Sequence, residues 1–259
     1  MTTRIALVTG GSRGLGRSTA LALADTGTDV VVTYVADEAA ARDVVAQVEA
    51  RGRRSAALRL DVTEMDAFAA FADELRAVLT GWDRTTFDVL VHNAGRSGDT
   101  PLGATDAAVV DDLFRTHVVP VVLLTQQLLA LLADGGRILT VSTGLTQNLA
   151  NPAYSVYAAM KGAVEVYTRY LAKSLGPRRI AVNAIAPGAT ATDFAGGLIR
   201  DDDGYRARIE ASSAMGRVGQ PDDIGRAAAA ILAEGAGWVT GQRIEASGGQ
   251  GMGWVGQPR

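Results

Sequence analysis

Six short runs of β-branched and aliphatic residues recur along this chain, at positions 5–9, 30–34, 56–60, 87–91, 137–141 and 180–185. They are almost uninterrupted in apolar residues, as strands are when both faces of a parallel sheet are covered. Between and after them, the stretches 15–25, 38–51, 64–79, 106–133, 155–174 and 222–233 carry helical spacing, and 242–246 supplies a last short strand. Regular alternation of strand and helix predicts a doubly wound α/β fold, a mostly parallel sheet with helices on both faces. No internal repeat or long linker divides the sequence, so residues 1–259 are read as a single domain. Only 189–219 has weak periodicity. It holds Gly196-Gly197, an Asp201-Asp202-Asp203 run and a short helix from Tyr205, and reads as a surface loop or a substrate lid.

Composition narrows the chemistry. Cysteine is absent, which removes disulfides, thiolate zinc sites and cysteine nucleophiles. The two histidines, His92 and His117, are far apart in sequence, so no metal site is expected. A net charge of −3 lacks the basic field that nucleic acid demands. The longest apolar stretch, 118–132, is interrupted by Pro120 and Thr125-Gln126-Gln127 and falls short of the ~20 residues of a membrane span. Residues 5–8 are too short for a secretory segment, so a soluble, cytoplasmic protein is expected.

The first run leads into Thr9-Gly10-Gly11-Ser12-Arg13-Gly14-Leu15-Gly16. Strand, glycine-rich turn and helix together aim backbone N–H groups and a helix N-terminus at a phosphate. The spacing, Gly-x3-Gly-x-Gly, departs from the usual Gly-x-Gly-x-x-Gly, and a chain with 30 glycines also makes plain βα turns. Its place in the first βα unit therefore weighs more than its pattern. Within 155–174, Tyr157 and Lys161 are one helical turn apart and share a face. A free phenol titrates near pH ~10, and a neighbouring cation lowers that value. Only two of the 25 basic residues, Lys161 and Lys173, are lysines. A Lys kept at 161 fits a task that a bulkier, permanently charged guanidinium would not fill. The plain alternative is a snorkelling Lys beside a half-buried Tyr.

Further segments complete a pattern: Asp61-Val62 after the third run, Asn93-Ala94-Gly95 after the fourth, and Pro187-Gly188 with Thr190 and Thr192 after the sixth. Residues 216–224, and Thr240-Gly241-Gln242 through Gly248-Gly249, add to it. With these the chain resembles the short-chain dehydrogenase/reductase family over nearly its full length. The resemblance implies a Rossmann-type fold and an NAD(P)-dependent oxidoreductase, a keto reductase or alcohol dehydrogenase acting on a small molecule. A catalytically silent nucleotide-binding member, used as sensor or scaffold, is the alternative. By resemblance Gly10, Ser12, Arg13, Gly14, Leu15, Gly16 and Tyr34 contact the cofactor, with Asp61 and Val62 at the adenine. Asn93, Ala94 and Gly95 would lie along the adenosine ribose, and Pro187, Gly188, Thr190 and Thr192 around the nicotinamide. Tyr157 would be the general acid/base, and Lys161 would lower its pKa and hold the nicotinamide ribose. The implied assembly is a homotetramer or homodimer.

This sequence departs from the family at its helix Asn, replaced by His117, which either holds a relay water or packs. His92 precedes Asn93 where Asn is common and reads as structural. The family's Ser-Ser pair aligns with Ser142-Thr143. Strand alternation turns Ser142 with Ile138 and Thr140, and Thr143 with Leu139 and Val141. Register selects Thr143 as the catalytic hydroxyl, unless a bulge at Gly144 turns Ser142 inward. NADP(H) is favoured over NAD(H), because the second run ends Thr33-Tyr34-Val35 without an acid, Asp37-Glu38 come later, and Arg13 can meet a 2′-phosphate. The substrate pocket falls to 147–154 and 189–219.

Overall fold

The chain runs β1 (Ile5–Val8), α1 (Gly14–Asp25), β2 (Asp29–Tyr34), α2 (Glu38–Glu49), β3 (Ser55–Arg59), α3 (Phe68–Gly81) and β4 (Phe87–His92). It continues through α4 (Ala107–His117), α5 (Val119–Leu128), β5 (Leu132–Val141), α6 (Ser155–Leu175) and β6 (Ala181–Pro187). Then follow α7 (Leu198–Asp201), α8 (Asp203–Ser212), α9 (Pro221–Leu232) and β7 (Arg243–Ala246). The structure, a computed structural model, describes residues 3–148 and 151–252, so Leu149 and Ala150 of the expected pocket segment lie outside the described residues.

Successive residues of each strand serve opposite layers. Ile5, Leu7, Leu90 and Ile138 pack with α3, α5 and α6 through Leu75, Leu124 and Val164. Ala6, Val8, Val89 and Leu139 pack with α1, α2 and α9 through Leu23, Val44 and Ile224. Both strand faces are therefore dry, which is why the runs show no polar alternation. The seven strands are all parallel in the order β3-β2-β1-β4-β5-β6-β7, the Rossmann-type doubly wound sheet expected. The order reverses between β1 and β4, and the carboxyl ends of the strands open a crevice at that switch point.

One element differs in kind from the sequence reading. The helix expected over 106–133 is two helices followed by the start of β5. Pro120 sits in the first turn of α5 with no N–H to give the preceding turn, and the chain bends at Val118 (φ −97°, ψ −52°). Past α5, Leu132 pairs with Phe87 ahead of a register shift, so β5 begins before Gly135 and Gly136. The 189–219 segment holds α7 and α8. Ala195, Gly196 and Gly197 all have positive φ (53°, 71° and 79°), reversing the chain just before α7. Among the described residues, no helix is long and apolar enough to cross a membrane, and no group of three or more His, Cys, Asp or Glu could hold a metal.

Candidate active site

The turn after β1 is fixed before any ligand arrives. Gly10 N–H donates to Thr33 Oγ1 at 3.0 Å, and Gly11 N–H to the Thr33 carbonyl at 2.9 Å. On the other side, Thr9 Oγ1 accepts from the N–H groups of Asn93 (3.0 Å) and Ala94 (3.1 Å). The Asn93 amide donates to the carbonyls of Thr9 (2.9 Å) and Gly10 (3.0 Å). Asn93 thus stitches β4 to the turn with its side chain. Gly16 lets α1 sit against the turn, since a Cβ there would lie 2.3 Å from the Gly10 carbonyl oxygen. Gly10 (φ +61°) and Gly14 (φ +55°) hold the left-handed geometry that side chains resist. At the N-cap of α1, Arg13 makes no side-chain capping bond, so the first-turn N–H groups are not engaged by it. Open backbone donors over a left-handed glycine turn fit a pyrophosphate, which this cradle would hold.

The cradle is one end of a cleft of about 720 Å³. Of the residues expected at a cofactor, Gly10, Ser12, Arg13, Gly14, Leu15 and Tyr34 line it, as do Asn93, Ala94, Gly95, Pro187, Gly188, Thr190 and Thr192. Gly16, Asp61 and Val62 are not among its walls. Gly16 lies behind Gly10, and Val62 is buried. The Asp61 carboxylate is taken up by the N–H (2.9 Å) and hydroxyl (2.7 Å) of Thr63. The other end of the cleft is apolar and aromatic, with Leu145, Tyr154, Phe194, Leu198, Ile199, Tyr205 and Ile209.

Thr143, Tyr157 and Lys161 meet where the two ends join. Tyr157, in the first turn of α6, is only 6% exposed and Lys161 only 5%. Lys161 Nζ donates to the Val141 carbonyl at 2.7 Å and lies 5.9 Å from the centre of the Tyr157 ring. Burial pushes the Tyr157 phenol well above its ordinary value, against the opposing effect of a hydrogen bond with Thr143. Burial likewise pushes the Lys161 ammonium down to about 7. Burial is the dominant effect on the phenol, and the Lys161 hydrogen bond goes to β5. The phenol keeps its proton at neutral pH.

The two histidines are built into the same corner. His117 Nε2 is 2.8 Å from the Arg96 carbonyl, which can only accept, so Nε2 carries the proton. Its Nδ1 is then an acceptor, buried, with no hydrogen-bond partner among the described residues. The ring meets Tyr157 edge-on at 5.2 Å. His92 Nε2 pairs with Thr125 Oγ1 at 2.8 Å. Burial keeps both neutral, with Lys161 a further cause, so His92 falls to about 3 and His117 to about 2. A side chamber of about 10 Å³ between Thr9, His92, Thr116, His117 and Lys161 is about the size of one water.

Of the two hydroxyls at the end of β5, Ser142 Oγ donates to Glu165 Oε1 at 2.5 Å. Thr143 Oγ1 accepts from Leu145 N–H at 3.3 Å and meets the Tyr157 phenol. Sequence reasoning missed Glu165 and its partner Arg243. The only available signal was an Arg and a Glu alternating in a strand, at 243 and 245, where one face must be covered.

A family model described as enoyl-(acyl carrier protein) reductase matches residues 10–250. A hydroxynaphthalene reductase-like protein of Metarhizium brunneum is 32% identical over 259 residues, covering 95% of this chain and 94% of its own. Among solved structures, LugOII, described as a promiscuous reductase catalysing keto-reduction at C1 during lugdunomycin biosynthesis, is 37% identical with a TM-score of 0.90 and covers 96% of this chain and 98% of its own. The angucycline C-6 ketoreductase LanV with bound NADP is 33% identical with a TM-score of 0.88, covering 96% of each chain. The glycine turn, the Tyr157-Lys161 turn of helix and these full-length matches lead to one conclusion: the chain belongs to the short-chain dehydrogenase/reductase family and is an NAD(P)-dependent oxidoreductase.

Proposed function

We propose that the protein uses NADPH to reduce a ketone carried on a flat aromatic framework, with Tyr157 giving the proton and Thr143 holding the carbonyl oxygen. The observation that carries this reading is the buried Tyr157 phenol, kept protonated by its burial and lining the cleft together with Thr143, where the cleft turns apolar. A general acid for carbonyl reduction has to arrive with its proton, and this one does. The bound nicotinamide supplies the reducing equivalent. Thr143 donates to the substrate oxygen as charge grows there. Lys161, titrating near neutrality, replaces the proton that Tyr157 gives and holds the ribose hydroxyls.

Arg13 supports NADPH, since it borders the cleft near the end of β2 and a guanidinium meets a 2′-phosphate with charge-assisted bonds. Asp37, which also lines the cleft, is engaged in capping α2, accepting from Ala40 N–H at 2.9 Å. The walls Tyr154, Phe194 and Tyr205 suit a planar ring system, and one relative is described as a hydroxynaphthalene reductase-like protein. A carrier-protein substrate is less well matched. Residues 193–212, beside that end of the cleft, hold five carboxylates against three guanidiniums and would repel an acidic carrier. The same reading takes the chain as one cofactor-binding and catalytic domain working in the cytoplasm. A homotetramer or homodimer would cover the exposed Phe114, Leu123, Val166 and Tyr170 of α4, α5 and α6.

The test follows NADPH oxidation with α-tetralone, a bicyclic aryl ketone, and with an acetoacetyl thioester. Turnover of the aryl ketone with NADPH above NADH is expected, and Tyr157→Phe should lose at least ~10²-fold. Thioester turnover alone would replace the substrate class. NADPH binding without turnover of either would favour a silent member. Retention of activity by Tyr157→Phe would remove the phenol from the mechanism.

A further inference from the structure

The segment carrying Thr143 is gripped by a half-buried ionic group that proton transfer and cofactor binding do not require. Glu165 stands one helical turn beyond Lys161 on α6, so Tyr157, Lys161 and Glu165 follow one another along a single face. The Glu165 side chain is 13% exposed and that of Arg243, on β7, is 14% exposed. Glu165 Oε1 accepts from Ser142 Oγ at 2.5 Å, from Thr146 Oγ1 at 2.8 Å and from Arg243 Nε at 2.8 Å. Arg243 in turn donates through Nη2 to the carbonyl of Thr143 itself at 3.2 Å, and pairs through Nη1 with Glu245 at 2.6 Å. The carboxylate thus holds the residues flanking Thr143 on both sides, and the guanidinium holds its backbone.

Stability alone does not explain this arrangement. Partly desolvating a carboxylate and a guanidinium carries a cost that their attraction largely offsets, and an apolar pair of similar volume is commonly as stable. What an apolar pair would not do is fix a loop of three hydroxyl residues in one orientation. The ion pair references residues 142–146 to α6, the same rigid helix that carries Tyr157. Functional groups held within a fraction of an ångström need this kind of support.

We propose that Glu165 and Arg243 are positioning residues, a clamp that sets the Thr143 hydroxyl against the Tyr157 phenol and so contributes to kcat rather than to binding. The proposal rests on the reading of Thr143 and Tyr157 as the groups that act on the carbonyl.

A double-mutant cycle on the full chain tests it, with NADPH and α-tetralone as substrates and NADPH affinity read by fluorescence. Glu165→Ala should lower kcat about tenfold, leaving KM for the ketone and Kd for NADPH within about twofold. Glu165→Gln, which keeps an acceptor oxygen for the two hydroxyls, should recover most of that loss. In a Thr143→Val background, Glu165→Ala should cost less than about twofold, because the group it positions is already gone. The full tenfold loss in that background would overturn the clamp, as would an unchanged kcat or a loss confined to KM or melting temperature. If Glu165→Ala fails to fold, Arg243→Lys, which keeps charge but loses the fork, enters the same cycle. Failure of the underlying catalytic reading is separately visible as turnover by Tyr157→Phe. Failure of the clamp leaves that variant inactive.

Discussion

Two neighbouring hydroxyl residues at the end of β5 both border the cleft but differ in their hydrogen-bond partners. Ser142 gives its proton to a charged acceptor, Glu165, and has none left for a substrate. Thr143 Oγ1 accepts from the Leu145 N–H at 3.3 Å and has no charged partner, and the residue lines the cleft together with Tyr157. Thr143→Val keeps the β-branched shape and removes the donor, so kcat should fall about 10²-fold, the scale of one oxyanion donor. Ser142→Ala should cost kcat only a few-fold. Its main effect should be a loss of roughly 1.5–3 kcal/mol in denaturant unfolding, from a hydrogen bond to a charged group. Steady-state kinetics giving the reverse ranking would move the role to Ser142. The expectation of Thr143 rested on a strand's period of two, which sends neighbouring side chains to opposite faces. Glu165 was not legible. It is 23 residues from Ser142, and the two meet only once α6 has docked on the sheet.

Among the elements, α1 and α9 cross at a point where no side chain fits. A Cβ on Gly225 would lie 2.4 Å from Ser18 Oγ and 2.6 Å from the Ser18 carbonyl oxygen, in the middle of α1. Ser18 Oγ also donates to Asp222 Oδ1 at 2.8 Å, binding the two helices beside that crossing. Gly225→Ala should therefore force the helices apart and cost about 1–3 kcal/mol, the usual range for overpacking. Because α1 opens with the phosphate cradle, NADPH affinity measured by titration should weaken in the same variant. Unchanged stability and affinity would mean that the backbones separate without consequence. The existence and order of these helices were readable from periodicity, and their contacts were not. The one misread element, 106–133, had its break in plain view at Pro120. Proline is tolerated in a first turn, so the residue alone does not say whether a helix ends or another begins there.

At the scale of the whole molecule, the buried ionisable groups set an asymmetric response to pH. The doubly wound sheet and its crevice followed from alternation alone, but which groups would end up dry depended on packing across both layers. His92 and His117 titrate near about 3 and about 2 in the folded protein, against 6.5 when solvated. Between those limits the unfolded chain binds protons that the folded one refuses, so stability must fall as pH drops below 6.5. Each histidine contributes a slope approaching ~1.4 kcal/mol per pH unit, or about 2 kcal/mol by pH 5. Asp223, held down to about 2 by Arg217, adds a further loss below its solvated value of 3.8. Lys161 works in the same direction in a higher window. Its folded value near 7 lies below 10.5, so the cost of burying it is present in full below pH 7 and is relieved as pH rises from there. The raised Tyr157 phenol sets the upper limit, since above pH 10 the unfolded chain ionises first. Maximal stability should thus lie on the alkaline side of neutrality. Urea midpoints measured at pH 5, 7 and 9 should rise across the series. A His92→Gln, His117→Asn double variant should lose most of the difference between pH 5 and pH 7 while keeping that between pH 7 and pH 9. A double variant with the full acid sensitivity of the parent would show that the histidines take up their protons without unfolding the chain.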